Sequence, residues 1–269
     1  MLTLLSLTPF GAKSPKKLVA AGKLGAEPEI LINMYKELIE DNSDIEVELK
    51  PNFGKTSFLY EALKSGSVDI YPEFTGTITS SLLKEDVGDI SNDPNEVFDL
   101  AKRKIYEQDK LVLLPASKFQ DTYAVAVREE FAKDNNIEKV SDLKNVEDNA
   151  LAGFTLEFND RDDGNRGLKS IYNLDLRVKT MEPALRYTAI SNGSIDITDV
   201  YSTDSQIITN KLKVLEDDKK LFPPYQAAPL IREDTLEKYP ELEEILGKLK
   251  GKITSKEMTE MNYKVDVEG

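Results

Sequence analysis

An α/β fold of two similar lobes facing each other across a cleft is predicted by two features of this sequence. Strand-like and helix-like segments alternate along the chain, and one helix–turn–strand segment occurs twice. The duplicated segment is Ala62-Leu63-Lys64-Ser65-Gly66-Ser67-Val68-Asp69-Ile70. It returns as Ala189-Ile190-Ser191-Asn192-Gly193-Ser194-Ile195-Asp196-Ile197, at a constant offset of 127 residues that also carries Tyr60 onto Tyr187. Each copy reads as a helix ended by a glycine cap, then a strand. The turns that follow, Phe74-Thr75-Gly76-Thr77 and Tyr201-Ser202-Thr203-Asp204, lie opposite each other in the repeat. Ligands of parallel α/β sheets bind beyond the carboxyl ends of the strands. Each lobe is therefore expected to bring an aromatic ring and hydroxyls to one facing surface.

The elements follow in order. Residues 17–21 (KLVAA) read as a short buried strand, and a helix starts at Pro28 with Ile30, Leu31, Met34 and Leu38 on one stripe. Residues 45–49 alternate as a strand, 53–56 form a turn, and 57–64 form a helix stopped by Ser65 and Gly66. Strands are expected at 68–71, 111–114 and 122–127, with a helix over 94–108. Such alternation predicts mostly parallel sheets.

Composition narrows the function. A chain of 269 residues that is 40% apolar and 31% charged is long and apolar enough for one large domain or two medium lobes, which excludes disorder. The net charge of −14 disfavours a nucleic-acid partner, which would need a basic surface. There is no Cys and no His, so thiol chemistry, zinc ribbons and Ser-His-Asp hydrolysis are excluded. The apolar leader Met1 to Phe10 is shorter than the roughly 20 apolar residues a membrane-spanning helix needs.

Three chemical motifs fail on spacing or context. Gly54-Lys55-Thr56 ends like a phosphate-binding loop, but the glycine required five residues earlier is Leu49. The acidic run from Asn159 to Gly164 fails as a calcium loop, because its third and twelfth ligand positions are Arg161 and Ser170. Arg161 is left as a planar fork that would suit a ligand carboxylate. A glycosidase-type pair such as Glu73 with Glu157 or Asp199 is open on spacing, since the deciding distance is spatial, but no flanking motif supports it. The aromatic residues carry more. Phe74, Tyr123, Tyr201 and Tyr225 stand beside turn or Pro/Gly residues at expected strand ends, outside the apolar stripes. A methylated ammonium has no N–H to donate, so such rings would recognise it through shape and the negative ring faces.

Several motifs in order resemble one family. These are Tyr71-Pro72-Glu73-Phe74-Thr75-Gly76-Thr77, Asp121 to Val127, Phe158 to Gly164, Asp199 to Asp204 and Pro223 to Pro229. They are similar to the osmoprotectant-type substrate-binding proteins of ABC importers, which take glycine betaine, choline or carnitine. The likeness runs from about Lys17 to the end. It implies a two-lobed, Venus-flytrap, type II periplasmic-binding-protein-like fold with two interlobe crossings, near 119–121 and 221–224. On this reading residues 1–17 are a leader, 18–120 with 225–269 form lobe I, and 121–224 form lobe II.

The resemblance also implies an aromatic box at Phe74, Tyr123, Tyr201 and Tyr225, with Phe74 standing where the family usually has tyrosine. Lys23 to Glu29, Asn52 to Thr56 and Glu157 to Arg161 look like the ergothioneine-uptake branch. Ergothioneine is a zwitterionic, trimethylated histidine derivative with a thione ring. Arg161 and Thr77 are then expected to hold its carboxylate, and Lys23, Glu27 and Thr56 to line the ring end. Glu157, Asp199 and Ser202 complete the expected ligand-binding set. The resemblance implies a non-enzymatic protein without cofactor or metal: an extracytoplasmic monomeric domain, anchored or fused, whose partners are a quaternary-ammonium solute and a membrane permease. Relatives usually continue with another helix beyond the segment matching Asn262 to Gly269.

Overall fold

The computed structural model describes residues 16–84 and 89–269. The apolar leader therefore lies outside the described residues. Among the described residues, ten strands form two five-stranded sheets. The first contains β1 (Lys16–Lys23), β2 (Ile45–Gly54), β3 (Ile70–Phe74), β4 (Leu111–Leu113) and β10 (Ala227–Arg232), in the order β2-β1-β3-β10-β4. The second contains β5 (Tyr123–Arg128), β6 (Leu151–Thr155), β7 (Arg177–Met181), β8 (Ile197–Tyr201) and β9 (Leu212–Val214), in the order β7-β6-β8-β5-β9.

The sheets are mixed, which corrects the expectation of mostly parallel strands. β1 runs parallel to β2 and β3, while β10 is antiparallel to β3 and β4. The second sheet repeats this, with β6 parallel to β7 and β8, and β5 antiparallel to β8 and β9. The cause is connectivity. β5 and β10 are the strands that arrive from the other sheet, so each starts where its neighbour ends: Tyr123 opposite Tyr201, and Ala227 opposite Phe74. The two crossing segments touch at a bridge between Gln120 and Gln226, and the Asp121 amide donates to the Tyr225 carbonyl at 2.9 Å.

The sequence repeat is a structural repeat. Gly66 ends the helix α2 (Thr56–Ser65) in the left-handed region at φ 82°, and Gly193, at φ 80°, follows the equivalent helix Pro183–Ser191. Asp69 accepts from the Val19 amide and from Arg232, whose NH1 donates to the carbonyls of Leu63 and Val68. Asp196 accepts from the Leu151 amide and from Arg128, whose NH1 donates to the carbonyls of Ile190 and Ile195. The repeat offset relates every acceptor in these two sets. An arginine at the end of each arriving strand thus ties down the helix–strand turn beside it.

Boundaries shift modestly from expectation. The helix α1 (Ala26–Asn42) begins two residues before Pro28, and β2 continues through Phe53 and Gly54, where a turn was expected. The strand is carried this far by its pairing with β1, which reaches Lys23 opposite Gly54, and the Phe53 ring packs on Phe58 at 5.2 Å between centroids. β1 starts at Lys16, inside the expected leader. α1 covers the first sheet with Leu31, Ile32, Tyr35 and Ile39, all buried. Every residue of β3 is buried, so this central strand carries Phe74 to the cleft on a rigid support.

Candidate ligand-binding site

Phe74 and Tyr201 end equivalent strands, β3 and β8, and both line one cavity of about 440 Å³ together with Lys23, Glu27, Thr77 and Tyr225. A second cavity of about 920 Å³ is lined by Tyr123, Tyr201, Glu157 and Asp199. Tyr201 and Asp204 border both, so the two spaces meet at that edge. Tyr225 is brought close to Phe74 by Gly76. A Cβ there would stand 2.6 Å from the Tyr225 ring and 2.7 Å from the Pro224 carbonyl, so only glycine admits this approach.

The rings differ in availability. Tyr201 is 46% exposed and Phe74 is 8% exposed. Tyr123 is already engaged: it stacks on Tyr201 at 5.0 Å and 27°, tilts against Phe158 at 5.5 Å, and has the Arg161 guanidinium 5.2 Å from its centroid. Its hydroxyl, 3.3 Å from that of Tyr201, is pushed well above the usual range by burial, with Tyr201 and Glu157 adding. Tyr123 therefore backs Tyr201 as much as it faces the cavity.

Arg161 does not present an open fork. Its Nε and NH2 donate to the two Asp163 oxygens at 2.5 and 2.8 Å, and its NH1 donates to Glu157 at 3.3 Å. A guanidinium held bidentately by one carboxylate has spent the geometry that would clamp another. Ser202 also turns away from both cavities. Its hydroxyl accepts from the Thr122 amide at 3.1 Å and donates to the Gln120 carbonyl at 2.6 Å. Thr75 makes the equivalent tie in the other lobe, accepting from the Gln226 amide at 3.1 Å. Ser202 thus fastens a crossing segment. Thr56 opens α2 and borders neither cavity. Asp199 lines the larger cavity but is spoken for, accepting from the Thr155 amide and hydroxyl at 2.9 Å each. Lys23 pairs with the fully buried Glu73 and lies 5.5 Å from the Phe74 ring centroid.

The electrostatics favour a cationic head group. Asp121, Asp204 and Asp266 line the smaller cavity against one cation, Lys23, and Glu27, whose carboxyl burial pushes up to about 8, adds its charge only above that pH. Glu157, Glu182, Asp199 and Asp204 line the larger one against Arg186. With rings available for cation–π contact and carboxylates around them, the cleft matches a methylated ammonium in charge and in surface.

Comparison with known proteins now decides the family. Residues 16–269 match the model of the OpuAC family, the substrate-binding domain of ABC-type glycine betaine transport systems. This chain belongs to the OpuAC family. The carnitine transport binding protein OpuCC of Listeria monocytogenes is 35% identical over 98% of this chain and 86% of its own length. The ergothioneine transport permease/ergothioneine binding protein EgtU of Helicobacter pylori is 34% identical over 98% of this chain, which spans 47% of that protein. Among solved structures, a glycine betaine/carnitine/choline ABC transporter protein superposes with a TM-score of 0.87 at 31% identity, covering 94% of this chain and 93% of the other. Apo YehZ of Escherichia coli gives 0.84 at 24% identity, covering 96% and 94%, a likeness of fold. These OpuAC-type relatives are solute-binding transport proteins, in keeping with the absence of a catalytic motif from the sequence. Among the described residues no helix is long and apolar enough to cross a membrane.

Within this OpuAC fold, sequence reasoning missed Asp121, Thr203, Asp204, Asn262 and Arg186. Arg186 left a readable signal. The repeat places it opposite Leu59, which is fully buried, so a charge stands where the other lobe has leucine. Arg186 is itself 4% exposed and donates through Nε to the Asp199 carbonyl at 2.8 Å and through NH1 to the Pro183 carbonyl at 3.2 Å. Asn262 left no signal, because it approaches the cleft only through the packing of the last helix.

A pH prediction follows from two of these groups. Burial, with the Asp121 carboxylate adding, pushes the Glu27 carboxyl from 4.5 up to about 8, against opposing hydrogen bonds from Asn262 and Thr203. Burial likewise raises Asp121 to about 6, with Asp204 adding and Thr203 and Lys23 opposing. Between pH 5 and 8 the folded protein therefore holds protons that the unfolded chain has released, so stability falls as pH rises. The slope per retained proton approaches about 1.4 kcal/mol per pH unit. With no histidine in the chain, no imidazole titrates in this window. Urea midpoints of the free protein are expected to fall from pH 5 to 8, and Glu27→Gln to flatten the upper part of that decline. A rising midpoint would refute the assignment.

Proposed function

We propose that this chain is the solute-capturing component of an ABC importer, and that it holds a trimethylammonium zwitterion, ergothioneine first, between Tyr201 on one lobe and Phe74 and Tyr225 on the other. The observation that carries the reading is that Tyr201 borders both cavities while Phe74 and Tyr225 line one of them. One ring edge thus joins a space for the ammonium to a larger space beyond. In this reading, residues 18–120 with 225–269 move as one lobe and 121–224 as the other, hinged at the bridge between Gln120 and Gln226. The closed form then docks, outside the cytoplasm, on a permease to which the domain is fused or beside which it is anchored. The 34% identity to EgtU supports the ligand, as does a cleft with hydrogen-bonding groups beyond the rings.

Glycine betaine, choline or carnitine is the second reading, favoured by the 35% identity to OpuCC. A thermal-shift panel of ergothioneine, glycine betaine, choline, carnitine and proline betaine separates them, because stabilisation grows with ligand concentration over Kd. Ergothioneine is expected to raise the midpoint most. A larger rise with choline or carnitine would replace it as the ligand, and no rise with any of the five would remove the trimethylammonium reading.

A further inference from the structure

Two residues that line the smaller cavity each keep a buried oxygen without a partner. Glu27 is 8% exposed and Asn262 is 6% exposed, and among the described residues Glu27 Oε1 and Asn262 Oδ1 meet no hydrogen-bond donor. The orientation of Asn262 is fixed by its other end. Its Nδ2 donates to Glu27 Oε2 at 3.0 Å and to the Thr203 carbonyl at 2.9 Å, which uses both amide hydrogens. Turning the amide over would set an oxygen against two acceptors, so Oδ1 is held on the opposite side.

A buried polar atom left without a partner is costly, and native proteins rarely keep two side by side without an occupant. Both residues line the cavity that also contains Phe74, Tyr201 and Tyr225. The ring wall and the two acceptors therefore serve one ligand space. The rings suit a methylated ammonium, which has no hydrogen to donate. Above pH about 8, where Glu27 is ionised, both atoms are acceptors and suit the opposite chemistry, a group rich in N–H. Around them Asp121 and Asp204 add negative charge, and Thr203 donates to Asp121 at 3.3 Å. Lys23 also borders the cavity, with its ammonium bound to Glu73.

We propose that Glu27 Oε1 and Asn262 Oδ1 form a subsite that selects solutes carrying protic nitrogen, such as heteroaromatic ring N–H groups, in addition to their methylated ammonium. The inference rests on the trimethylammonium reading above and sharpens it. Glycine betaine brings no N–H or O–H donor, a hydroxylated solute such as choline brings one, and a thione-imidazole ring brings two. A second position of donor density would thus separate solutes that the aromatic rings treat alike, because a binding site discriminates most strongly through polar groups that the wrong solute leaves unpaired.

The test is calorimetric titration of the full chain at pH 9, where Glu27 is ionised, with ergothioneine and with glycine betaine, for wild type and Glu27→Gln. The substitution keeps the side-chain volume and the oxygen that accepts from Asn262, and it puts an NH2 where Oε1 stood. The ratio of the two affinities is expected to move against ergothioneine by about tenfold. Asn262→Leu, which removes the second acceptor, is expected to move the ratio the same way and covers the case in which Glu27→Gln fails to fold. An unchanged ratio in the folded variants would overturn the subsite while leaving the aromatic reading intact. Wild-type protein that binds glycine betaine but not ergothioneine would also overturn it. Wild-type protein that binds neither would overturn the trimethylammonium reading and the subsite with it.

Discussion

Tyr201→Ala is expected to weaken binding of every trimethylammonium solute by about thirtyfold, with little change in the stability of the free protein. The two effects separate because the ring is 46% exposed, held to the fold by one face stacked on Tyr123 at 5.0 Å and a long 3.3 Å hydroxyl contact. Removing it costs the fold little buried area. The ligand loses more. A desolvated cation over a tyrosine face gains about 2 kcal/mol, and each 1.4 kcal/mol is a factor of ten in Kd. Tyr201→Phe keeps the ring face and is expected to stay within about threefold of wild type. Calorimetry with glycine betaine or ergothioneine, beside a urea melt, reads both quantities. Wild-type affinity in Tyr201→Ala would place the ammonium elsewhere, and equal losses in the alanine and phenylalanine variants would give the hydroxyl the role assigned to the ring.

Arg186→Ala is expected to have the largest effect on stability, about 3 kcal/mol. Arg186 is 4% exposed and its Nε lies 3.9 Å from the Asp199 carboxylate, which is 1% exposed. Asp199 is already raised above the usual range by burial, with Arg186 and Thr155 opposing that rise. Without the guanidinium the carboxylate stays buried with only Thr155 to stabilise it, and the carbonyls of Asp199 and Pro183 lose their arginine donor. Breaking a buried pair from one side is costly because it strands the other charge. Arg186→Met with Asp199→Asn removes both charges at similar volume, so it should recover part of the loss in a urea titration. Full wild-type stability in the single variant would mean that the pair contributes nothing.

Much of the site was readable because the sequence repeats itself. The offset of 127 residues placed Phe74 and Tyr201 at equivalent strand ends without any structure, and the structure puts them on one cavity. It also pairs Leu59 with Arg186, an asymmetry that marks a charge in a helix interior. Arg161 shows where such reading stops. Its residue type and the glycine-ended run around it suited a carboxylate clamp, yet Asp163, two residues on, folds back to fill the fork. Sequence spacing cannot say which of two nearby carboxylates a guanidinium will meet. Ser202 was drawn to the ligand by its motif, whereas its hydroxyl caps the amide of an arriving crossing strand.

The sequence by itself determined the class of the fold, the duplication of its lobes, the family, and the aromatic residues at the strand ends. These follow from local periodicity, turn chemistry and a repeated pattern, all of which are written along the chain. The tertiary structure alone decided the direction of β5 and β10, the engagement of Arg161, and the meeting of Glu27 with Asn262 across 235 residues. The reason is physical. Which face a strand presents is a local matter, but which buried polar atom finds a partner depends on segments that approach only when the chain closes on itself.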